Sequence, residues 1–208
     1  MNNSIMLLLL VAMTAAGQSS NNMKGKPVEH RLETATLGAG CFWCVEAVYQ
    51  QLEGVVKVES GYSGGTVPDP SYEQVCTGRT GHAEVIQVTF DPAKISFEEL
   101  LTVYFRTHDP TTLNKQGADV GTQYRSVIFY HSPEQKAAAE KVLKQTAAAK
   151  VWDDPIVTEI APFTAFYKAE QYHQNYYNEH SYQPYCMMVI NPKLSKFRKE
   201  FSSKLKKN

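Results

Sequence analysis

Apolar residues recur along this chain with two different periods, and their order predicts a protein that mixes strands with helices. Short apolar runs, or apolar residues that alternate with polar ones, predict strands at residues 34–37, 55–62, 84–90, 124–130 and 156–160. Helical spacing predicts helices over residues 41–52, from residue 96 and from residue 133 to about 150. The second begins on a Ser96-x-x-Glu99 capping box, and the third has Pro133 at its first position.

The order of these elements from residue 34 to residue 130 is β-α-β-β-α-β, which predicts an α+β fold. It is the order of the split βαβ, or ferredoxin-like, core, in which helices pack on a mixed or antiparallel sheet. Long loops should interrupt this core, above all the Gly- and Pro-containing segment 61–81. Extra C-terminal helices should follow it.

The first residues have a different composition from the rest. The segment Ile5–Ala16 is almost wholly apolar and is followed by small residues, which predicts a secretory signal peptide at residues 1–17. A polar leader at residues 18–31 and one domain at residues 32–208 would follow. The predicted location is therefore outside the cytoplasm, in a periplasm or secreted. The run is too short for a comfortable membrane span, so no stable membrane insertion is expected.

The signal-peptide prediction has alternatives, because no Lys or Arg precedes the apolar run. A mis-assigned start codon or an uncleaved anchor would fit the same residues, and the first of these would leave the protein in the cytoplasm. The charge of the whole chain is balanced, with 21 basic and 21 acidic residues. The basic residues after Asn191 are interpreted as a solvated helix, and no nucleic-acid partner is predicted.

Cys41 is the strongest candidate for chemistry, since it lies in Gly38-Ala39-Gly40-Cys41-Phe42-Trp43-Cys44 between a predicted strand and a predicted helix. Unpaired N–H groups and the helix dipole at that position favour a thiolate over a thiol. The sequence therefore predicts an acidic, nucleophilic Cys41. A structural disulfide between Cys41 and Cys44 would close too small a loop to constrain much.

Two other classes of protein could use the same cysteines. A thioredoxin-like dithiol–disulfide oxidoreductase would use Cys41 and Cys44 as a Cys-x-x-Cys pair, although Trp43 here lies between the cysteines rather than before them. A zinc-binding module would need two close-spaced ligand pairs, and the chain has one. There is no Gly-rich phosphate loop, so no cofactor is implied.

The segment around Cys41 resembles the signature of the methionine sulfoxide reductase A family, and further blocks follow in the family's order over residues 35–201. They are Gly61-Tyr62-Ser63-Gly64-Gly65, Tyr72-Glu73-Gln74-Val75-Cys76, Gly81-His82-Ala83-Glu84-Val85, Gly121-Thr122-Gln123-Tyr124-Arg125-Ser126 and Tyr172-His173-Gln174. The resemblance implies a similar α+β core and a peptide-methionine (S)-S-oxide reductase. Such an enzyme reduces methionine S-sulfoxide, protein-bound or free, through a Cys41 sulfenic acid and a disulfide. It would repair proteins under oxidative stress with electrons from a thioredoxin-like donor.

The resemblance also implies roles for polar residues. Glu84 matches the family's acid; its apolar strand neighbours would help to keep the carboxyl protonated, although a solvent-facing Glu is an equal reading from the residues alone. Tyr72 and Tyr124 match two tyrosines that hydrogen-bond the sulfoxide oxygen. Asp119 matches a further polar position, but Val120 stands where many relatives have histidine.

Phe42 and Trp43 are predicted to form an apolar wall for the S-methyl group of the substrate, the alternative being two core aromatics. A second thiol must then remove the sulfenic acid. Cys44 is near in sequence, while Cys186 matches the region where many relatives place this thiol on a mobile segment. Cys186 is slightly favoured, and a relay that uses both is possible. Cys76 is predicted to be a buried neighbour of the site.

Overall fold

The computed structural model describes residues 31–207, and six of the strands in that range form one sheet in the order β7-β6-β1-β3-β2-β8. The strands are β1 (Glu33–Ala39), β2 (Val55–Ser63), β3 (Ala83–Phe90), β4 (Lys115–Gln116), β5 (Asp119–Val120), β6 (Ser126–Tyr130), β7 (Glu159–Pro162) and β8 (Phe166–Lys168). The helices are α1 (Phe42–Tyr49), α2 (Tyr72–Cys76), α3 (Phe97–Thr107), α4 (Pro133–Ala148), α5 (Tyr176–Glu179) and α6 (Asn191–Glu200). A π-helix, Cys186–Ile190, leads directly into α6.

The four central strands confirm the predicted core. Their order β6-β1-β3-β2 is that of the split βαβ arrangement, and every neighbouring pair among them is antiparallel. The sheet is mixed, because β7 runs parallel to β6 while β8 pairs antiparallel with the outer side of β2. The fold is therefore α+β, with extra elements added at both edges of a ferredoxin-like core.

Helices α1 and α3 bury the faces that their apolar spacing predicts. Val45, Val48 and Tyr49 of α1 are buried, and the helix packs on the central strands. In α3 the N–H of Ser96 donates to Glu99 Oε2 at 2.9 Å, and the N–H of Glu99 donates to Ser96 Oγ at 3.2 Å. This reciprocal capping satisfies donors that the first turn leaves unpaired, which fixes where the helix begins.

Several short elements depart from the prediction. Helix α2 lies inside the predicted loop 61–81, a small β4–β5 hairpin and strand β8 were not expected, and residues 122–124 form a 3₁₀ turn before β6. The predicted strand at residues 156–160 lies at Glu159–Pro162. These elements have two to five residues each, so too few positions repeat to give a periodic signal.

The predicted signal peptide and most of the predicted leader fall outside the described residues, and both stay predictions. Within residues 31–207, none of the helices combines the length and the apolar character that crossing a membrane requires.

Candidate active site

The residues around Cys41 enclose a cavity of about 180 Å³ where β1 ends and α1 begins. Its lining comes from α1, α2, β3, the β4–β5 hairpin, the turn before β6 and the segment before the π-helix. These residues are Cys41, Phe42, Trp43, Tyr72, Glu84, Asp119, Tyr124 and Tyr185. Segments more than a hundred residues apart in sequence thus meet at one small polar and aromatic site.

The turn from β1 into α1 presents Cys41 to this cavity. Gly40 has a φ of +88°, and a side chain there would also collide with Gln116. Cys41 is the residue immediately before the first turn of α1, and its side chain makes no capping hydrogen bond. Instead, the N–H of Phe42 donates to Glu84 Oε2 at 3.0 Å, so the Glu84 carboxyl occupies the start of the helix. The thiol and the carboxyl are therefore neighbours.

Glu84 has the properties of a proton donor. It lies on β3 between two other strands and is 1 % exposed. Burial raises the pKa of its carboxyl to about 8, the charges of Asp119 and Cys44 raise it too, and only the hydrogen bond from Phe42 lowers it. Glu84 is therefore protonated at neutral pH, which agrees with the desolvated acid expected from its apolar neighbours.

Cys41 is not the acidic thiol that its position predicts. Burial raises the pKa of Cys41 well above its usual value, and the neighbouring Cys44 thiol raises it further. The Cys41 thiol lowers the pKa of Cys44 to about 7, with help from the charge of Lys193. The prediction about Cys41 is wrong for the free protein, because desolvation outweighs the start of a short helix. Of the two thiols, Cys44 therefore loses its proton more readily.

Three phenols complete the polar side of the cavity. The Tyr185 O–H donates to Asp119 Oδ2 at 2.8 Å, and its oxygen lies 3.7 Å from Cys44 Sγ. Burial raises the pKa values of Tyr72, Tyr124 and Tyr185 above their usual range. All three therefore keep their protons and can donate to an oxygen atom. Asp119 and Tyr185 hold each other in place.

The aromatic wall is fixed by packing behind it. Trp43 stacks on Tyr176 with a centroid distance of 3.7 Å and an interplanar angle of 6°. The Trp43 indole N–H donates to His173 Nδ1 at 3.1 Å, and the His173 ring also packs against Phe42 and Tyr72. His173 is 1 % exposed, so it is a fixed support for both aromatic residues of the predicted wall.

Comparison with known protein families gives a match over almost all of the described residues. The family model of peptide methionine sulfoxide reductase matches residues 33–205. The chain belongs to this family. A peptide methionine sulfoxide reductase MsrA of Saccharolobus solfataricus is 55% identical over 175 residues, which cover 84% of this chain and 98% of that protein. One from Deinococcus radiodurans is 54% identical over 185 residues, which cover 89% of this chain and 90% of that protein.

Solved structures of family members agree with the fold. The reduced form of Mxr1 from Saccharomyces cerevisiae superimposes with a TM-score of 0.69 at 37% identity, over 80% of this chain and 94% of that one. Methionine sulfoxide reductase A of Corynebacterium diphtheriae gives a TM-score of 0.67 at 37% identity, over 77% of this chain and 80% of that one. Family membership confirms the resemblance that the sequence blocks indicated.

The structure of this family member brings most of the predicted site residues together. Seven of them line the cavity: Cys41, Phe42, Trp43, Tyr72, Glu84, Asp119 and Tyr124. Cys44 lies against Cys41 on the first turn of α1. Cys186 is fully buried in the π-helix and is not among the lining residues. Cys76 is exposed, so the prediction of a buried Cys76 is wrong; it lies at the end of α2, whose Tyr72 faces the cavity instead.

Two residues at the site were not assigned a role from sequence. Tyr185 directly precedes Cys186, and nothing in the sequence distinguishes it among twelve tyrosines. His173 was noted only as part of a family block. As for the zinc-binding alternative, within residues 31–207 no cluster of three or more His, Cys, Asp or Glu side chains could hold a metal ion.

Proposed function

We propose that this chain reduces methionine S-sulfoxide to methionine with the thiol of Cys41, and that Glu84 supplies the proton that the sulfoxide oxygen needs to leave. The observation that carries this proposal is a thiol and a protonated carboxyl that face one cavity of about 180 Å³. A sulfoxide oxygen is a poor leaving group until it is protonated, so an acid must lie beside the nucleophile.

In the first step the sulfur of Cys41 attacks the sulfoxide sulfur while Glu84 protonates the sulfoxide oxygen. Because burial favours the protonated form of Cys41, its proton must go to a base, and the neighbouring Cys44, whose pKa is lowered to about 7, takes this role. The oxygen then passes to the Cys41 sulfur: a bond between that sulfur and the oxygen forms, while the sulfur–oxygen bond of the substrate and the transient bond between the two sulfurs break. The thioether leaves, and Cys41 becomes a sulfenic acid. Tyr72 and Tyr124 steady the oxygen by hydrogen bonds, and Tyr185 with Asp119 steadies Cys44.

In the second step the Cys44 thiol attacks the Cys41 sulfenic acid. The sulfurs form a disulfide, and the oxygen leaves as water with one proton from Glu84 and one that began on Cys41. The two-electron oxidation of the cysteine pair thus balances the reduction of the sulfoxide. The contact between Cys41 and Cys44 favours Cys44 over Cys186 as the first thiol to react.

The cavity has to hold only the sulfoxide and the S-methyl group of the substrate. The wall of Phe42 and Trp43 offers an apolar surface for the S-methyl group, which buries little area and so binds weakly. Protein-bound and free methionine sulfoxide both meet this requirement. The preference for the S epimer rests on family membership.

The disulfide must be reduced again before another turnover. Cys186 is buried and directly follows the cavity residue Tyr185, which supports a role for it after Cys44. A thioredoxin-like dithiol protein is the proposed electron donor. Thioredoxin should therefore support many turnovers, and a monothiol such as glutathione far fewer, when methionine formation is followed under matched thiol concentrations.

The function is tested with Cys41→Ser and a short peptide that contains either the S or the R epimer of methionine sulfoxide. The intact enzyme should reduce the S peptide and leave the R peptide unchanged. The serine variant should form no methionine above background, because an alkoxide is not available at this position at neutral pH. Full activity in Cys41→Ser, measured by chromatography of the peptide, would reject the proposal.

Export is part of the same proposal and is supported by the apolar run Ile5–Ala16 and the small residues after it. Expression of the full chain in a bacterial host with a C-terminal tag should give a periplasmic protein whose first residue lies near position 18. A cytoplasmic protein that retains its original N-terminus would contradict export and would leave the reductase proposal unaffected.

A further inference from the structure

The methionines of the described domain have an unusual distribution. Met187 and Met188 are the only methionines in residues 31–207, and both are exposed, by 57% and 73% of their surface. Methionine is normally among the residues found in protein interiors. The core of this domain is instead built from Leu, Ile, Val, Ala, Phe and Tyr, with three cysteines. Oxidation of a methionine in residues 31–207 therefore does not introduce a polar group into this core.

Both residues lie on the outer side of the π-helix Cys186–Ile190. The first and last residues of this helix, Cys186 and Ile190, are fully buried, whereas Met187 and Met188 face solvent. Their thioethers are open to dissolved oxidants. Conversion to a sulfoxide makes the side chain polar, which disrupts a core but is tolerated at a solvent-facing position. The helix can thus be oxidised and reduced repeatedly without loss of structure.

We propose that Met187 and Met188 are a reversible oxidation site, and that a second copy of this chain reduces their S-sulfoxides. This inference rests on the proposed function. A two-electron oxidant such as hydrogen peroxide transfers one oxygen atom to the thioether and leaves as water. The cavity of the second copy then takes that oxygen by the thiol chemistry described above, and its Cys41 and Cys44 become a disulfide. The two methionines therefore consume peroxide at the expense of the electron donor.

Reduction has to take place between two copies because of how the helix is attached. Tyr185, which precedes the helix, already lines the molecule's own cavity and donates to Asp119. Cys186 follows it in the core. Met187 and Met188 point away from this side, so the helix would have to unwind before either side chain could enter its own cavity. The cavity of another copy needs only access to two side chains that are already exposed.

The test uses the full-length Cys41→Ser variant as the substrate, since it cannot carry out its own reduction. The variant is oxidised with hydrogen peroxide, freed of oxidant, and incubated with a catalytic amount of the intact enzyme and dithiothreitol. Trypsin cuts after Lys168 and Lys193, so residues 169–193 form one peptide that contains both methionines. Its added oxygen, followed by mass spectrometry, should fall by about half, because oxidation gives both epimers and this class of enzyme reduces one.

Two controls make the outcome decisive. A synthetic peptide of residues 182–193, oxidised in the same way and with serine at position 186, should also lose about half of its added oxygen. If the peptide is reduced and the folded protein is not, the inference is wrong while the proposed function stands. If neither is reduced, the proposed function itself fails. The double variant Met187→Leu, Met188→Leu should form no methionine sulfoxide in the tryptic peptide 169–193 and should reduce substrate peptides at the normal rate.

The dependence of the repair rate on protein concentration distinguishes reduction by a second copy from reduction within one chain. Intact enzyme that carries sulfoxides at these positions should repair itself with a first-order rate constant that rises in proportion to protein concentration. A rate constant that does not change with concentration would mean that each chain reduces its own methionines and would overturn the assignment to a second copy.

Discussion

Replacement of Glu84 by Gln is expected to lower kcat for sulfoxide reduction by about 10²- to 10⁴-fold, the usual contribution of a general acid. Gln keeps the size of the side chain and an oxygen that can accept from the Phe42 N–H, so the start of α1 should be preserved. It has no proton to give to the sulfoxide oxygen. Single-turnover measurements of methionine formation, with the enzyme in excess, report this step directly.

The pH dependence of kcat/KM gives an independent check on the same assignment. Cys44 must be deprotonated to take the Cys41 proton, and its pKa is about 7; Glu84 must be protonated, and its pKa is about 8. The rate should rise as the pH approaches about 7 and fall above about 8. In Glu84→Gln the fall above about 8 should disappear. A variant that keeps the full decline at high pH would contradict the role of Glu84.

The free energy of unfolding should also change with pH, because folding raises the pKa of Glu84. Folded Glu84 keeps its proton up to a pH of about 8, whereas the unfolded chain releases it near the usual value of 4.5. Between these values the folded state binds more protons, so the free energy of unfolding falls as the pH rises, by roughly a few kcal/mol. Urea unfolding at several pH values should show that Glu84→Gln loses this fall. An unchanged pH dependence would mean that Glu84 is ionised in the folded protein.

Glu46 provides a matched control, because it is a second buried carboxyl that does not line the cavity. Burial raises its pKa to about 7, and it accepts a hydrogen bond from the Asn175 N–H at 3.0 Å. Glu46→Gln keeps an acceptor oxygen. It should remove a similar part of the pH dependence of stability and leave the pH profile of the reaction unchanged. Comparison of the two variants thus distinguishes the effect of removing a buried titratable carboxyl, which both share, from the effect of removing the catalytic proton, which only Glu84→Gln shows.

The core could be predicted from sequence because its elements are long enough to repeat a pattern. Strand β3 and helix α3 show this: alternating Ile86, Val88 and Phe90 indicate one, and the Ser96 capping box starts the other. Helix α2 begins with the same kind of capping box, formed by Ser71 and Gln74, and this signal was present in the sequence. Strand β8 had no comparable signal, since its place depends on pairing with β2.

The site was predictable where a residue type identifies a chemistry, and not where the surroundings decide it. Cys41 stands out because a thiol at a helix start is unusual. Glu84 was identified by its match to the family's acid, since the residues alone fitted a solvent-facing carboxyl equally well. The pKa of Cys41 could not be predicted from sequence. It depends on how deeply the folded chain buries the thiol and on its interaction with Cys44. The role of Tyr185 could not be predicted either, because this residue reaches the cavity only through the packing of the C-terminal segment against α1.

Replacement of Cys44 by Ser is expected to slow the formation of the first equivalent of methionine without abolishing it, because the base that takes the Cys41 proton is lost, and to stop the turnovers that follow. The sulfenic acid of Cys41 would then persist until it reacted with a more distant thiol. A fall in the steady-state rate of roughly tenfold or more is expected, because a neighbouring thiol attacks at a far higher effective concentration than a donor in solution. This result would also exclude a thioredoxin-like dithiol exchanger, which would lose its first turnover as well.

The disulfide trapped after one equivalent of sulfoxide identifies the order in which the cysteines react. Trypsin releases Cys41 and Cys44 in one peptide, residues 32–57, and Cys186 in another, residues 169–193. A Cys41–Cys44 disulfide therefore removes two hydrogens from a single peptide, whereas a bond to Cys186 joins two peptides. Cys186→Ser should still form the first product and should slow only the reduction by thioredoxin. If Cys186→Ser instead stopped all disulfide formation while Cys44→Ser turned over normally, Cys186 would react first, as its place in the sequence favoured, and Cys44 would be needed neither for the disulfide nor for proton transfer.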